Sequence, residues 1–110
     1  MEISFQFPED YLDIVSFTEY VEIDFEVAFV SFFPINELVI VNEDYEFPEF
    51  APSYLPIGTN GSGVSICYRR ADYTLYSLPL IGLDEGEAIY LGSTLKQVLV
   101  GLEKGMLTIY

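Results

Sequence analysis

The sequence predicts an α+β fold, a single domain over residues 1–110 in which a twisted antiparallel sheet packs against helices. Residues 21–27 alternate strictly between apolar and acidic side chains, the period of a strand with one buried face. Asn60-Gly61 lies between two apolar runs, a pattern typical of a tight hairpin turn. Near the end of the chain, apolar residues recur at helical spacing: Leu95, Val98, Leu99 and Leu102.

Near the start of the chain, residues 3–7 alternate between apolar and polar side chains, which predicts a short strand or an extended lead-in. Pro8, followed by two acidic residues, predicts a helix over residues 8–17. The alternating strand is expected to run from residue 21 to residue 33. Residues 34–41 fit either a short helix or a strand, and residues 42–53, with two prolines and four acidic residues, predict a loop.

The second half of the chain is predicted to be rich in strands. Residues 54–58 and 64–68 form a predicted hairpin around the turn at residues 59–62. A second turn over residues 69–73 leads to a predicted strand over residues 74–80.

The last part of the chain contains a short extended piece at residues 86–91 and the amphipathic helix. Ser93 or Thr94 is expected to cap this helix, and Gly105 to end it. We expect the tail, residues 106–110, to be able to add an edge strand.

The charge of the chain is unusual and uneven. It has 18 acidic residues against four basic ones, a net charge of −14, and no Lys or Arg occurs in residues 1–68. Such a field repels nucleic acid and anionic membranes and favours a basic protein partner, although a solvated acidic surface is the simpler interpretation.

The chain is expected to be a soluble cytoplasmic protein. The first residues lack the basic region of a secretory signal, and no apolar run reaches the roughly 20 residues of a membrane span. The one cysteine, Cys67, excludes an internal disulfide and is predicted to be an inert buried thiol.

The stretch YLPIGTNGSGVSICY concentrates glycines but is not predicted to bind phosphate. A phosphate-binding loop must open a helix, whereas Gly63 is followed by a strand pattern. We expect Asn60-Gly61 to supply positive φ to a turn, and Gly58 and Gly63 to mark a bulge or a close backbone approach.

Three segments together resemble the SUKH superfamily of bacterial immunity proteins and a fungal regulator of cell-wall synthesis. They are FPEDYLDIV, YLPIGTNGSGVSICY and IYLGSTLKQVLVGL. The matching positions are Pro8, Glu9, Asp10 and Tyr11; Pro56, Ile57, Gly58, Gly61, Gly63 and Ile66; and Ser93, Leu95 and Leu99. The resemblance implies an α+β fold and a protein that binds and blocks a toxin, often a nuclease or a deaminase, without catalysis.

The residues also argue against an enzyme. The chain has no His, so it lacks a Ser-His or Cys-His nucleophile pair and an imidazole metal ligand. We expect no metal, no cofactor and no small-molecule substrate. Paired carboxylates mean little in so acidic a chain.

Two acidic groups are candidates for a partner-binding surface. The first is in the predicted loop, where aromatic residues lie between acids as anchors do inside a charged rim: Glu43, Asp44, Tyr45, Glu46, Glu49 and Tyr54. The second is the acidic face of the predicted strand: Glu22, Asp24 and Glu26. Phe47 and Phe50 are expected either to join the first group or to attach the loop to the core.

The function expected from these residues and the resemblance is neutralisation of a basic toxin by a non-catalytic immunity protein. An acidic adaptor or scaffold domain of the same fold is the alternative. A mimic of DNA, whose carboxylates imitate phosphates, is a further alternative.

Overall fold

The computed structural model describes residues 6–26 and 28–109. The predicted lead-in at residues 3–7 falls mostly outside this part, and its described residues, Gln6 and Phe7, are in neither helix nor strand.

The described residues form one antiparallel sheet of six strands in sequential order. This meander confirms the predicted fold class, because each strand pairs with the next one along the chain. The strands are β1 Val21–Asp24, β2 Phe29–Phe32, β3 Tyr54–Thr59, β4 Val64–Arg69, β5 Leu75–Pro79 and β6 Ile89–Gly92.

Helices contribute to the core on both faces of the sheet. They are α1 Glu9–Leu12, α2 Leu38–Asp44, α3 Phe47–Phe50 and α4 Leu95–Glu103, with 3-10 turns at Ile35–Glu37 and Glu85–Glu87. Ile66 and Cys67 are adjacent on β4, so their side chains lie on opposite faces. Ile66 packs with α1 and α4, whereas Cys67 packs with Phe47 of α3.

The larger core lies between the sheet and the helices α1 and α4. Tyr11 from α1 and three residues of α4 are fully buried there: Leu95, Val98 and Leu102. Thr94 caps α4, since its hydroxyl accepts a hydrogen bond from the Gln97 amide at 3.1 Å. A smaller cluster joins α2 to the chain after β2, through Leu38, Val41 and Phe33.

The predicted strand over residues 21–33 is wrong, because the chain folds there into the β1–β2 hairpin. Glu26 has a left-handed φ of 72°, and its amide donates to the Asp24 carboxylate at 2.9 Å. The Phe25 amide donates to the Ala28 carbonyl at 2.8 Å and closes the turn. A side-chain acceptor at Asp24 thus replaces the glycine that a tight turn usually has.

The predicted loop over residues 42–53 is also wrong in its first part. Residues 38–44 form α2, and residues 47–50 form α3. Of the two structures that residues 34–41 fit, the helix is therefore the one that forms. Pro34 precedes the first 3-10 turn and Pro48 lies in the first turn of α3. Both positions tolerate proline because the first amides of a helix have no partner within it.

The helix expected over residues 8–17 is limited to α1. The amides of Ile14 and Val15 both donate to the Tyr11 carbonyl, which ends the helix. The carbonyls of Ser16 and Phe17 then accept from the amides of Ile35 and Asn36. Hydrogen bonds between two distant segments of the chain therefore take the place of the last predicted turn of the helix.

The tail of the chain does not add the expected strand over residues 106–109. Gly105, at a φ of +69°, follows the end of α4 as expected. The amides of Met106 and Leu107 both donate to the Gly101 carbonyl, and Leu107 and Ile109 pack against the main core.

Candidate protein-binding surface

The junction of α2 and α3 is an exposed corner that carries most of the first candidate group. Glu46 occupies the left-handed region, with φ 61° and ψ 33°, and so turns the chain between the two helices. We call this surface the α2–α3 corner; its exposed residues are Ile40, Glu43, Asp44, Tyr45, Glu46, Glu49 and Phe50.

The corner combines apolar anchors with carboxylates. Ile40 is 58% exposed, Phe50 is 47% exposed and Tyr45 is 39% exposed. Four exposed acidic side chains belong to the same segment, and residues 37–50 contain no basic residue. Large exposed apolar groups inside a charged rim are characteristic of protein-binding surfaces.

A tyrosine from the chain before β1 extends this corner. The Tyr20 hydroxyl donates to Glu37 Oε1 at 3.1 Å, and the Tyr20 side chain is 51% exposed. Burial, followed by the hydrogen bond and charge of Glu37, raises the pKa of Tyr20. The sequence identifies neither Tyr20 nor Ile40 as a candidate. For Ile40 the reason is that residues 34–41 fit a strand as well as a helix, and only the helix predicts which of their side chains are exposed.

Two aromatic residues considered with the first candidate group, Phe47 and Tyr54, are in the core. Phe47 is fully buried and attaches α3 to the sheet. Tyr54 is only 7% exposed and its ring meets that of Tyr76 edge-on at 5.4 Å between centroids. Tyr54 therefore lacks the exposure that an anchor for a partner needs.

The second candidate group is split between a strand and a turn. Glu22 and Asp24 are exposed on β1 and alternate with the partly buried Val21 and Ile23, as the period of two predicts. Glu26 is exposed in the hairpin turn rather than on the strand. The three acids thus lie along one end of the sheet but do not share one strand face.

Amides of the glycine-rich turn donate hydrogen bonds to side chains of the same turn. Thr59 Oγ1 accepts from the Gly61 amide at 3.1 Å. Asn60 Oδ1 accepts from the amides of Ser62 and Val64 at 2.8 and 3.2 Å. These amides are already occupied, and strands flank the turn on both sides, so the geometry differs from that of a phosphate-binding loop.

The three glycines of this region have different roles. Gly61 and Gly63 have φ values of +80° and +86°, which favour glycine. Gly58 lies on β3 at a register shift, and a Cβ there would be 2.8 Å from the Ser31 carbonyl oxygen. Gly58 therefore permits the close approach of β2 and β3. A Cβ at Gly63 would meet nothing within 4 Å, so of the two roles expected for Gly63, a bulge or a close backbone approach, the close approach does not apply.

The motif residues that carry the resemblance meet in the fold. Asp10 accepts hydrogen bonds from its neighbour, the Tyr11 amide, at 2.9 Å and from the Lys96 amide in the first turn of α4 at 3.1 Å. The Tyr11 ring packs edge-on against Tyr68, with 5.9 Å between centroids. These residues connect α1, β4 and α4, which is a scaffold role.

Few basic groups oppose the acidic surface. Arg69 forms an ion pair with Asp72, which raises the pKa of Arg69 and holds that of Asp72 well below its usual range. Burial lowers the pKa of Arg70. Arg69 is the last residue of β4 and Arg70 follows it, so neither belongs to the α2–α3 corner.

Cys67 is fully buried, and burial raises the pKa of its thiol to about 12. Within the described ranges, no group of three or more His, Cys, Asp or Glu side chains is arranged to hold a metal ion. None of the described helices is long and apolar enough to cross a membrane.

No family model matches the chain, and no curated protein matches it significantly.

Proposed function

We propose that this protein is a non-catalytic immunity protein that binds a basic toxin domain and blocks it through the α2–α3 corner. The single observation that carries the proposal is the corner itself, where Tyr45, Phe50 and Ile40 are exposed among four carboxylates. The resemblance to the SUKH superfamily supplies the toxin as the kind of partner.

The two kinds of residue have different tasks in the proposed complex. The carboxylates attract a basic surface, so they act on the rate of association and on its dependence on salt. Tyr45 and Phe50 lose water on binding, so they act on the rate of dissociation. The proposal includes a cytoplasmic location, which the buried, unpaired thiol of Cys67 fits.

The first experiment asks whether a toxin exists. The product of the gene beside that of this chain is expressed alone and together with this chain, and cell growth is measured. Rescue of growth together with a purified one-to-one complex is the expected result. A toxic neighbour that this chain neither binds nor neutralises would contradict the proposal.

The second experiment tests the corner by association kinetics with the purified partner. Glu43→Lys/Asp44→Lys should slow association by about tenfold at low salt, and the defect should shrink at high salt. Glu9→Lys/Glu87→Lys makes the same change in net charge elsewhere and should have a smaller effect. Equal effects of the two pairs would reduce the corner to a contribution to net charge.

Tyr45→Ala is the matching test of an anchor. It should speed dissociation and weaken binding by about 1–3 kcal/mol, with little change in association. Glu46→Lys is measured separately, because Glu46 has a left-handed backbone and its replacement also affects the turn. An unchanged dissociation rate for Tyr45→Ala would move the interface away from this corner.

A further inference from the structure

The outer edge of β1 offers its backbone to a further strand. β1 is the terminal strand of the sheet over the described residues. The hydrogen bond from the Phe25 amide to the Ala28 carbonyl fixes the register, with Ile23 opposite Val30. Because hydrogen-bonded pairs alternate along an antiparallel ladder, the amides and carbonyls of Glu22 and Asp24 point away from β2.

An apolar groove adjoins this edge on the face that carries α1 and α4. It has a volume of about 330 Å³, and its floor is Ile14, Ile23, Phe25, Leu99 and Val100. Ile23 and Phe25 come from β1 and its extension, so the groove lies over the edge strand. Its rim has the carboxylates of Asp10, Asp13 and Glu103 against the single amine of Lys96.

The opposite face of the same edge is acidic as well. The exposed side chains of Glu22 and Asp24 lie on that face, since they alternate with Val21 and Ile23. A strand added to β1 would therefore direct every second side chain into the apolar groove and the others towards carboxylates.

We propose that the edge of β1 binds an extended basic segment of a partner protein, in which apolar residues alternate with Lys or Arg. Backbone pairing with Glu22 and Asp24 supplies the general affinity, and the groove and the carboxylates select the sequence. This surface shares no residue with the α2–α3 corner, so the inference stands whether or not the corner binds a toxin.

The charge of the edge argues against a second copy of this chain as the occupant. Pairing of two β1 strands would place Glu22 and Asp24 of both copies near one another in molecules of net charge −14. Like charges opposite each other destabilise strand pairing, and charged edge strands prevent self-association.

The test uses synthetic peptides of about six residues, the usual length of a strand. One peptide alternates Lys and Val, an isomer has all its Lys before its Val, and a third is the alternating peptide with N-methyl groups on every second amide. Binding is followed by NMR chemical shifts and by hydrogen exchange of the Glu22 and Asp24 amides.

The alternating peptide should slow exchange of both amides and shift the signals of Ile23 and Leu99. The isomer should bind about tenfold more weakly, and N-methylation should remove the exchange protection. Glu22→Lys should weaken binding of the alternating peptide by about threefold, whereas Glu87→Lys, which makes the same change in charge at an exposed acid outside the groove lining, should leave it nearly unchanged.

Equal binding of the two isomers, or shifts spread over all acidic surfaces, would overturn the proposal in favour of unspecific charge attraction. Protection of the two amides without peptide that grows with protein concentration would also overturn it, since a second copy would then be the occupant.

Discussion

Two glycines, Gly61 and Gly63, restrict which substitutions the turn between β3 and β4 tolerates. Gly61 combines a φ of +80° with a Phe29 ring atom 3.3 Å from the position of a Cβ. Gly61→Val should lower the free energy of unfolding by about 1–3 kcal/mol, because a β-branched residue is poor at positive φ. Chemical denaturation measures the loss.

Gly63→Val is the matched control for that change. It has a similar φ, but its Cβ would lie in open space, so only backbone strain of about 1 kcal/mol is expected. A larger loss at Gly63 than at Gly61 would show that contact with Phe29 does not matter.

The hydroxyl of Tyr11 is a second feature at the scale of one residue. It is buried and has no hydrogen-bond partner among the described residues. Removing an unsatisfied buried polar atom while keeping the ring costs no contact. Tyr11→Phe should therefore keep or raise the free energy of unfolding, by up to about 1 kcal/mol, whereas Tyr11→Ala should lower it by about 3–5 kcal/mol. A loss of stability in Tyr11→Phe would reveal a partner for the hydroxyl.

At the scale of elements, Asp10 joins α1, which has four residues, to α4, the longest of the described helices. Its carboxylate accepts from an amide of α1 and from the Lys96 amide of α4. Asp10→Ala should lower the free energy of unfolding by about 1–2 kcal/mol, since two amides lose their acceptor. Asp10→Asn keeps an acceptor oxygen and should lose less, and Glu9→Ala, an exposed acid of the same helix, should lose little. Equal losses in Asp10→Ala and Glu9→Ala would assign the effect to charge alone.

The elements that the sequence predicts correctly have local causes. Thr94 and Gly105 bound α4, and Asn60-Gly61 sets the β3–β4 turn, so neighbouring residues decide both. The errors come from choices that neighbours do not decide. Residues 21–33 read as one strand because nothing in the sequence marks Glu26 as a left-handed turn residue. Pairing of residues 16–17 with 35–36 shortens α1, and such pairing appears only when the chain is folded.

The candidate surface also has features that the sequence predicts and features that only the folded chain decides. The acids of residues 43–49 were identified correctly as exposed, since charge alone predicts exposure. The separation of Tyr45 from Tyr54 depends on which of them faces Cys67 and Leu78 in the core, and the sequence pattern of aromatics among acids does not encode this.

At the scale of the whole molecule, the acidic charge lies on the surface while tyrosines fill the core. Exposed carboxylates occur on α1, β1, α2, the corner and α4. Tyr11 and Tyr68 are fully buried in the main cluster. Acidic repulsion therefore acts across the surface, and the core must hold two phenols in their neutral form.

Stability at alkaline pH follows from those two phenols. Burial raises the pKa of both Tyr11 and Tyr68 in the folded protein, and the charge of Asp10 adds to the effect at Tyr68. The unfolded chain releases these protons near pH 10, whereas the folded chain retains them. The contribution is complete below about pH 10 and is lost as the pH rises through the higher folded pKa, at up to about 1.4 kcal/mol per pH unit for each tyrosine. Denaturation at about pH 9 and about pH 11 should show this decline, and Tyr11→Phe/Tyr68→Phe should reduce the slope. An unchanged slope in the double variant would assign the alkaline loss of stability to groups other than these two tyrosines.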